Sequence, residues 1–363
     1  MGSHRPTITD VARVAGVSKG AVSFALNGKP GVAAGTRERI LAVARDLGWS
    51  PSLRGRALSV SRALAVGLVI ARPPETLRAD SFFASFIAGI ETVLAERGYA
   101  LMLQVVGDED SEHESYRRLA ASGRVDGVFL TDMRVDDVRP QLLDDLNLPT
   151  VMIGPAPGHG PWSAVYVDDR PGIVAAVEHI VSLGHRHIGH VAGPVEFVHG
   201  VSRREAWAAA VTGAGLTPDT CIGADFSAQG GVEATNRLLD LQEPPTAIVY
   251  ANDLMAIAGM STAIGRGVDV PGQLSVTGFD DTPLAAYLQP ALTTVRTDVV
   301  GWGRAAASQL LALVDNEVGH EIDLPPPRFI LRASTAPPRH PGTGTSSTDR
   351  RSPAPIHHRK ESR

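Results

Sequence analysis

From Ala65 to Phe279, short apolar runs that read as strands alternate with amphipathic stretches that read as helices. That order restricts the chain to parallel α/β architecture, because successive parallel strands need a crossover long enough to hold a helix. The runs are AVGLVIA, a helix from Phe83 to Glu96, ALMLQVV, a helix near Glu112 to Ala121, and DGVFL. The pattern restarts with AVYV, then a helix from Gly172 to Leu183, HIGHVA, a helix from Arg203 to Ala214, AIVY, a helix from Leu254 to Arg266, and LSVTGF. Two similar α/β lobes of roughly 100 to 150 residues each are expected.

A different kind of module precedes them. Thr7 with Asp10 three positions on forms a capping-box-like start, and Ile8, Val11, Ala12 and Ala15 supply an apolar face. Gly16 suits the left-handed backbone of a tight turn, and Ser18 caps a second helix with Val22 and Leu26 inward. A third helix is expected from Thr36 to Leu47, stopped by Gly48, and Leu53 to Arg62 reads as a basic linker able to become helical. Charge divides along the same line. Up to Arg62 there are ten Lys/Arg and three Asp/Glu, which leaves 24 Lys/Arg against 36 Asp/Glu in the rest of a chain of net charge -5. A compact basic head on an acidic body is the electrostatic footprint of a phosphate-backbone binder, although a solvated basic face gives the same count.

Composition excludes other classes. No apolar run reaches the roughly 18 residues of a membrane span, and Met1 to Asp10 lack a signal-peptide stretch, so a cytoplasmic protein is expected. The lone Cys221 offers neither an internal disulfide nor a structural zinc site. Pro337 to Arg363, rich in Pro, Ser, Thr, Arg and His, is expected to be a disordered tail.

The segment TITDVARVAGVSKGAVSFALNG, residues 7–28, resembles the helix-turn-helix of the lactose-repressor/galactose-repressor (LacI/GalR) family. The resemblance continues through TRERILAVARDLGWSP and RGRALS, then GHRHIGHVAGP, YANDLMA, SVTGFDDTPLA and LTTVR in the family's order, covering about residues 5 to 335. It implies an all-α helix-turn-helix headpiece (1–50), a hinge helix or linker (51–62), and a periplasmic-binding-protein-like effector and dimerisation domain (63–336). That domain has two Rossmann-like parallel-sheet subdomains between which the chain crosses more than once. In such a headpiece the second helix enters the major groove. By resemblance, Lys19 and Gly20 stand at the reading edge and Thr7, Ser18, Ser23 and Asn27 clamp the backbone. Phe24 stands where many relatives carry a base-reading Arg, and either touches a thymine methyl or packs. Leu58 matches a leucine that wedges into the minor groove, or else only docks the linker, and Arg54 and Arg56 approach phosphates.

For the cleft, the resemblance carries over Arg203 and Asp280 as a polar clamp, Phe226 as an aromatic plate, Asn252 at a strand end, and from the first lobe Phe82, Phe83 and Asp132. An aromatic plate with carboxylate and arginine partners suits a pyranose or similar polyol. The implied protein is a homodimeric, non-enzymatic repressor of a double-stranded DNA operator, responsive to a carbohydrate-like effector, with no cofactor, metal or membrane partner. A non-sugar effector or co-repressor is the alternative. An enzyme lacks GxGxxG, GxxxxGK[ST] and GxSxG loops, and His185, His187 and His190 would not converge on a metal if HIGHVA is a strand. A secreted solute-binding protein would not carry the basic headpiece, and a DNA binder with an unresponsive cleft would show no ligand-dependent shift. The polar tail argues against the leucine-rich C-terminal helix of tetrameric relatives.

Overall fold

The computed structural model describes residues 6–26, 30–49, 62–79, 81–154 and 162–338. The linker residues Arg54, Arg56 and Leu58, the clamp residue Asn27, and the expected tail from position 339 onward lie outside them.

The N-terminal module is three helices, α1 (Ile8–Ala15), α2 (Lys19–Leu26) and α3 (Ala34–Asp46). The third begins two residues before the expected Thr36. The Thr7 backbone N–H donates to Asp10 at 3.0 Å and its hydroxyl at 2.7 Å, closing the first turn of α1. Gly16 ends α1 at φ +66°, where an L side chain is strained. Val11, Val22 and Ile40, one from each helix, are fully buried and meet in one small core.

The body contains β1 (Ala65–Ala71), α4 (Pro74–Ala79), α5 (Ser81–Arg97), β2 (Ala100–Val106), α6 (Glu109–Ser122), β3 (Val128–Leu130), α7 (Arg139–Asp145), β4 (Thr150–Ile153) and β5 (Ser163–Tyr166). Next come α8 (Arg170–Ser182), β6 (Ile188–Ala192), α9 (Val198–Gly213), β7 (Cys221–Gly223), α10 (Ala228–Leu239), β8 (Ala247–Tyr250), α11 (Asp253–Gly265), β9 (Ser275–Thr277) and a 3-10 turn (Pro283–Ala286). The last elements are β10 (Thr294–Arg296), α12 (Val299–Val314), β11 (Glu321–Asp323) and β12 (Arg328–Ile330). The first sheet has the order β11-β5-β4-β3-β1-β2 and the second β7-β6-β8-β9, both with parallel pairings throughout. β10 and β12 form an antiparallel ribbon beside the second sheet. The chain passes between lobes after β5, again before α12, and again between β11 and β12. Two apolar clusters flank each sheet, as the crossover helices require.

Two helices differ from expectation in ways that matter for the cleft. α9 starts at Val198, five residues before Arg203, so its polar first turns carry His199 and Ser202. α12 was not anticipated as a helix. Its sequence VVGWGRAAASQLLALV is apolar around most of its circumference, because it is clamped between α5 and the sheet.

Candidate functional site

In each lobe strand order reverses beside the first strand, β1 or β6, and side chains just beyond the strands' carboxyl ends converge on one cavity of about 130 Å³ between the lobes. Arg72 follows β1, Thr131 and Asp132 follow β3, Gly154 follows β4, and Val167 and Asp169 follow Tyr166, the last residue of β5. The second lobe contributes His199, Ser202 and Arg203 from α9, Phe226 beyond β7, Asn252 beyond β8 and Asp280 beyond β9. Phe82 from α5 and Trp302 from α12 close one wall, their rings edge to face at 5.7 Å.

Each cavity arginine is matched to a carboxylate. Arg72 donates to Asp132 through Nε at 2.7 Å and Nη2 at 2.6 Å. Burial would raise the Asp132 carboxyl, but the facing guanidinium outweighs it and holds the group below its ordinary value. The Asp132 backbone stands at φ +51° and is gripped from behind by Arg139, which donates to its carbonyl at 2.7 Å and to that of Thr131 at 3.2 Å. Arg139 is itself paired with Glu112 and Asp137, all three nearly inaccessible, so a buried ion network fixes the loop that offers Asp132. In the other lobe Arg203 donates to Asp169 at 2.7 Å and to the Ala251 carbonyl at 2.6 Å, lies over the Phe279 ring at 3.8 Å, and has Asp280 3.9 Å away. The loop bearing Asp280 is tied down by Asp253, which accepts from the Thr282 N–H at 2.7 Å and from the Thr294 hydroxyl, and which burial pushes up to about 6.

The aromatic groups link the lobes. His199 is stacked between Phe197, at 5.5 Å, and Phe226, at 5.2 Å, and burial followed by the charge of Arg203 pushes its imidazole down to about 3. Arg72 reaches across from the first lobe over the rings of Phe197 and Phe226, at 5.3 and 5.9 Å. Backbone bonds join the same segments, from Val135 N to the Glu196 carbonyl and from Val198 N to the Met133 carbonyl, both 2.9 Å.

Of the cleft residues singled out from sequence, Phe82, Asp132, Arg203, Phe226, Asn252 and Asp280 line this cavity. Two stand differently from the expectation. Phe83 is 2% exposed and belongs to the apolar core under Arg72, because the one-residue step along α5 turns it away from the cleft. Phe226, at φ +65°, has its ring between His199 and Gly193, where a Cβ would collide with it, so it presents an edge rather than an open face. Asn252 serves geometry: its amide donates to the Phe226 carbonyl at 3.0 Å and its oxygen caps α11 by accepting from Met255 N at 2.9 Å. Sequence reasoning missed Arg72, Tyr166, Asp169, His199, Ser202 and Trp302. The first three lie at or just past strand ends, a positional signal available in the sequence; Trp302 lies on the helix that was not anticipated.

The three histidines diverge. His185 bonds Thr246 and the Ala336 carbonyl, His187 bonds Thr220, and His190 bonds the Val249 carbonyl while stacking on Trp207. Among the described residues no group of His, Cys, Asp or Glu is arranged to hold a metal ion.

In the N-terminal module, the Ser18 hydroxyl accepts from Ala21 N at 3.1 Å, capping α2. Lys19 and Gly20 are exposed at that end, with Ser23 half-buried one turn on. Phe24 is 44% exposed and its ring rests beside Gly31, so it combines packing with an accessible edge. Thr7, exposed at the start of α1, has its hydroxyl turned onto Asp10. No helix of the described residues is long and apolar enough to cross a membrane.

Residues 7–52 match the family described as bacterial regulatory proteins, lacI family, and residues 177–335 match a periplasmic binding protein-like domain. The chain is 33% identical over 325 residues to the HTH-type transcriptional regulator CelR of Thermobifida fusca, covering 88% of this chain and 95% of that one. It is 30% identical over 333 residues to the HTH-type transcriptional repressor CytR of Escherichia coli, covering 91% and 96%. Among solved structures, a CelR-cellobiose complex superposes with a TM-score of 0.70 at 31% identity, covering 91% of this chain and 100% of that one. The lac repressor dimer bound to operator and the anti-inducer ONPF superposes at 0.79 and 26% identity, covering 92% and 100%.

Proposed function

The chain belongs to the lacI family of bacterial regulatory proteins and is a DNA-binding transcriptional regulator; from that premise we propose that it represses as a homodimer and that a carbohydrate or carbohydrate-like effector in the interlobe cleft sets its grip on a pseudo-palindromic operator. The observation that carries the effector class is the pairing of charges in the cavity. Arg72 is matched by Asp132 and Arg203 by Asp169, with Asp280 alongside and His199 kept neutral by burial. Such a cavity offers many oriented donors and acceptors without the net positive charge that an anion needs, which suits hydroxyl-rich neutral ligands. The relative that was solved with cellobiose supports the same class.

In this reading the headpiece spans 1–50, the linker 51–62 and the effector body 63–336. Lys19 reads a base edge beside Gly20, which has no side chain to add a second contact, while Thr7, Ser18, Ser23, Asn27, Arg54 and Arg56 meet the backbone, Phe24 lies at the groove and Leu58 wedges the minor groove. Arg203, Asp280, Asp132, Phe82, Phe226 and Asn252 form or shape the effector site. Effector bound to both lobes shifts their relative orientation and so the geometry of the two linkers in the dimer, lowering operator affinity. The coupling is reciprocal: operator DNA weakens effector binding by the same factor.

The test takes a DNA fragment enriched by the full-length protein from a random-sequence pool and titrates it in the presence of a panel of mono- and disaccharides. One sugar that weakens binding at least fivefold is expected; affinity unmoved by every sugar removes the carbohydrate assignment.

A further inference from the structure

Arg62, the last residue of the linker and its only described one, is held to the body by side-chain contacts remote from the cavity. Its guanidinium donates to Asp315 at 2.5 Å, to the Val314 carbonyl at 2.8 Å and to the Tyr99 hydroxyl at 3.4 Å. Arg97 binds the other oxygen of Asp315 at 2.7 Å. The next two residues are pinned as well, since the backbone N–H groups of Ala63 and Leu64 both donate to the Asp126 carboxylate at 2.7 Å.

The elements that make this clasp also wall the cavity. Asp315 caps the carboxyl end of α12, and Trp302, near the other end of that helix, lines the cavity. Arg97 ends α5, whose second residue, Phe82, lines the cavity beside Trp302. The two helices are locked where the first half of α5 packs on the first turns of α12: a Cβ on Gly89 would collide with the Val300 carbonyl oxygen, and one on Gly303 with that of Phe86. A pair held that closely moves as one body. Asp315 is moreover a carboxylate at the negative end of a helix, an unfavourable place for it in isolation. Two arginines compensate for that placement, and the cluster is too exposed, at 31% for Arg62 and 34% for Asp315, to be an important source of global stability.

We infer that Arg62 and Asp315 are positioning residues for DNA binding: their clasp ties the root of the linker to the α5–α12 pair, so that a change at the cavity wall reaches the DNA-gripping segment through this contact. The inference rests on the chain's DNA-binding function and goes beyond the effector assignment. An anchored root leaves the linker less freedom to lose when it settles on DNA, so releasing it weakens binding.

The experiment uses full-length protein and the DNA fragment that the unaltered protein enriches from a random-sequence pool. Arg62→Met, Asp315→Asn and the double variant are compared by Kd, by the dependence of Kd on salt, and by thermal melting. Both single variants are expected to bind about tenfold more weakly, within the usual range of coupling between sites. The double variant should be no weaker than either single one, with the salt slope and the melting temperature unchanged. A different pattern overturns the inference. If Arg62 simply contacts a phosphate, Arg62→Met flattens the log–log salt slope by about one, while Asp315→Asn leaves binding unchanged or tightens it. Losses that add in the double variant, or that follow a fall in melting temperature, also overturn it.

Discussion

At the scale of single residues, the cleft is organised by arginines that are already bonded to carboxylates. Asp169 is the counterpart that orients Arg203, so Asp169→Asn should leave that guanidinium poorly aimed and weaken effector binding by about tenfold or more, measured by calorimetry with whichever sugar shifts DNA affinity. A second prediction concerns His190, fully buried, with burial pushing its imidazole down to about 4. Its folded pKa lies below the roughly 6.5 of an unfolded histidine, so the unfolded chain takes up the proton first. The contribution of His190 to stability is therefore whole above about pH 6.5 and is lost as pH falls toward 4, at on the order of 1 kcal/mol per pH unit. His190→Gln, which keeps a donor for the Val249 carbonyl but does not titrate, should flatten melting temperature against pH over that window. Which residues were legible followed from where chemistry and motif coincide. Arg203 and Asp280 sit inside recognisable motifs, whereas Arg72 and Asp169 are ordinary charges in sequence that only folding brings beside their partners. Phe82 and Phe83 are indistinguishable as letters, and only the rotation of α5 tells cavity wall from core.

At the scale of elements, α1 and α2 were readable because their controls are local: the Thr7–Asp10 cap and the left-handed Gly16 bound α1 and the Ser18 hydroxyl caps α2, each within one turn of the helix it governs. Lys19→Ala should reduce binding to the enriched DNA fragment by about 1–3 kcal/mol if the side chain donates to a base edge, with a far smaller effect on unrelated DNA, measured by fluorescence anisotropy. Equal losses on both DNAs would reassign Lys19 to the phosphates. Gly16→Ala should destabilise the headpiece by roughly 1–2 kcal/mol, because φ +66° crowds a Cβ. The helices of the body were found from their apolar faces, and their starts were misplaced where function altered the pattern. α9 opens with polar residues because its first turns face the cavity. α12, buried on several sides, lacks the one-sided stripe that announces a helix.

At the scale of the whole molecule, alternating strands and helices gave two parallel lobes, but which lobe each late segment joins depends on long-range pairing, as when β11 returns to the first sheet and β12 to the second. Two apolar side chains at the 3-10 turn, Leu284 within it at 66% and Tyr287 just after it at 83%, are unusually open for their size. Under the homodimer reading they belong to the subunit contact. Tyr287→Asp should then shift the protein toward monomer in sedimentation and weaken operator binding together with it; an unchanged sedimentation coefficient would remove this turn from the contact. The central claim is that a ligand held between the lobes alters the hold on DNA, and the most direct measurement is the Kd for the enriched DNA fragment across a sugar titration, in the unaltered protein and in Arg203→Met. The account predicts that one sugar weakens DNA binding of the unaltered protein at least fivefold and that Arg203→Met needs a much higher concentration of that sugar for the same effect. A sugar response identical in the two proteins would place the effector outside this cleft and contradict the account.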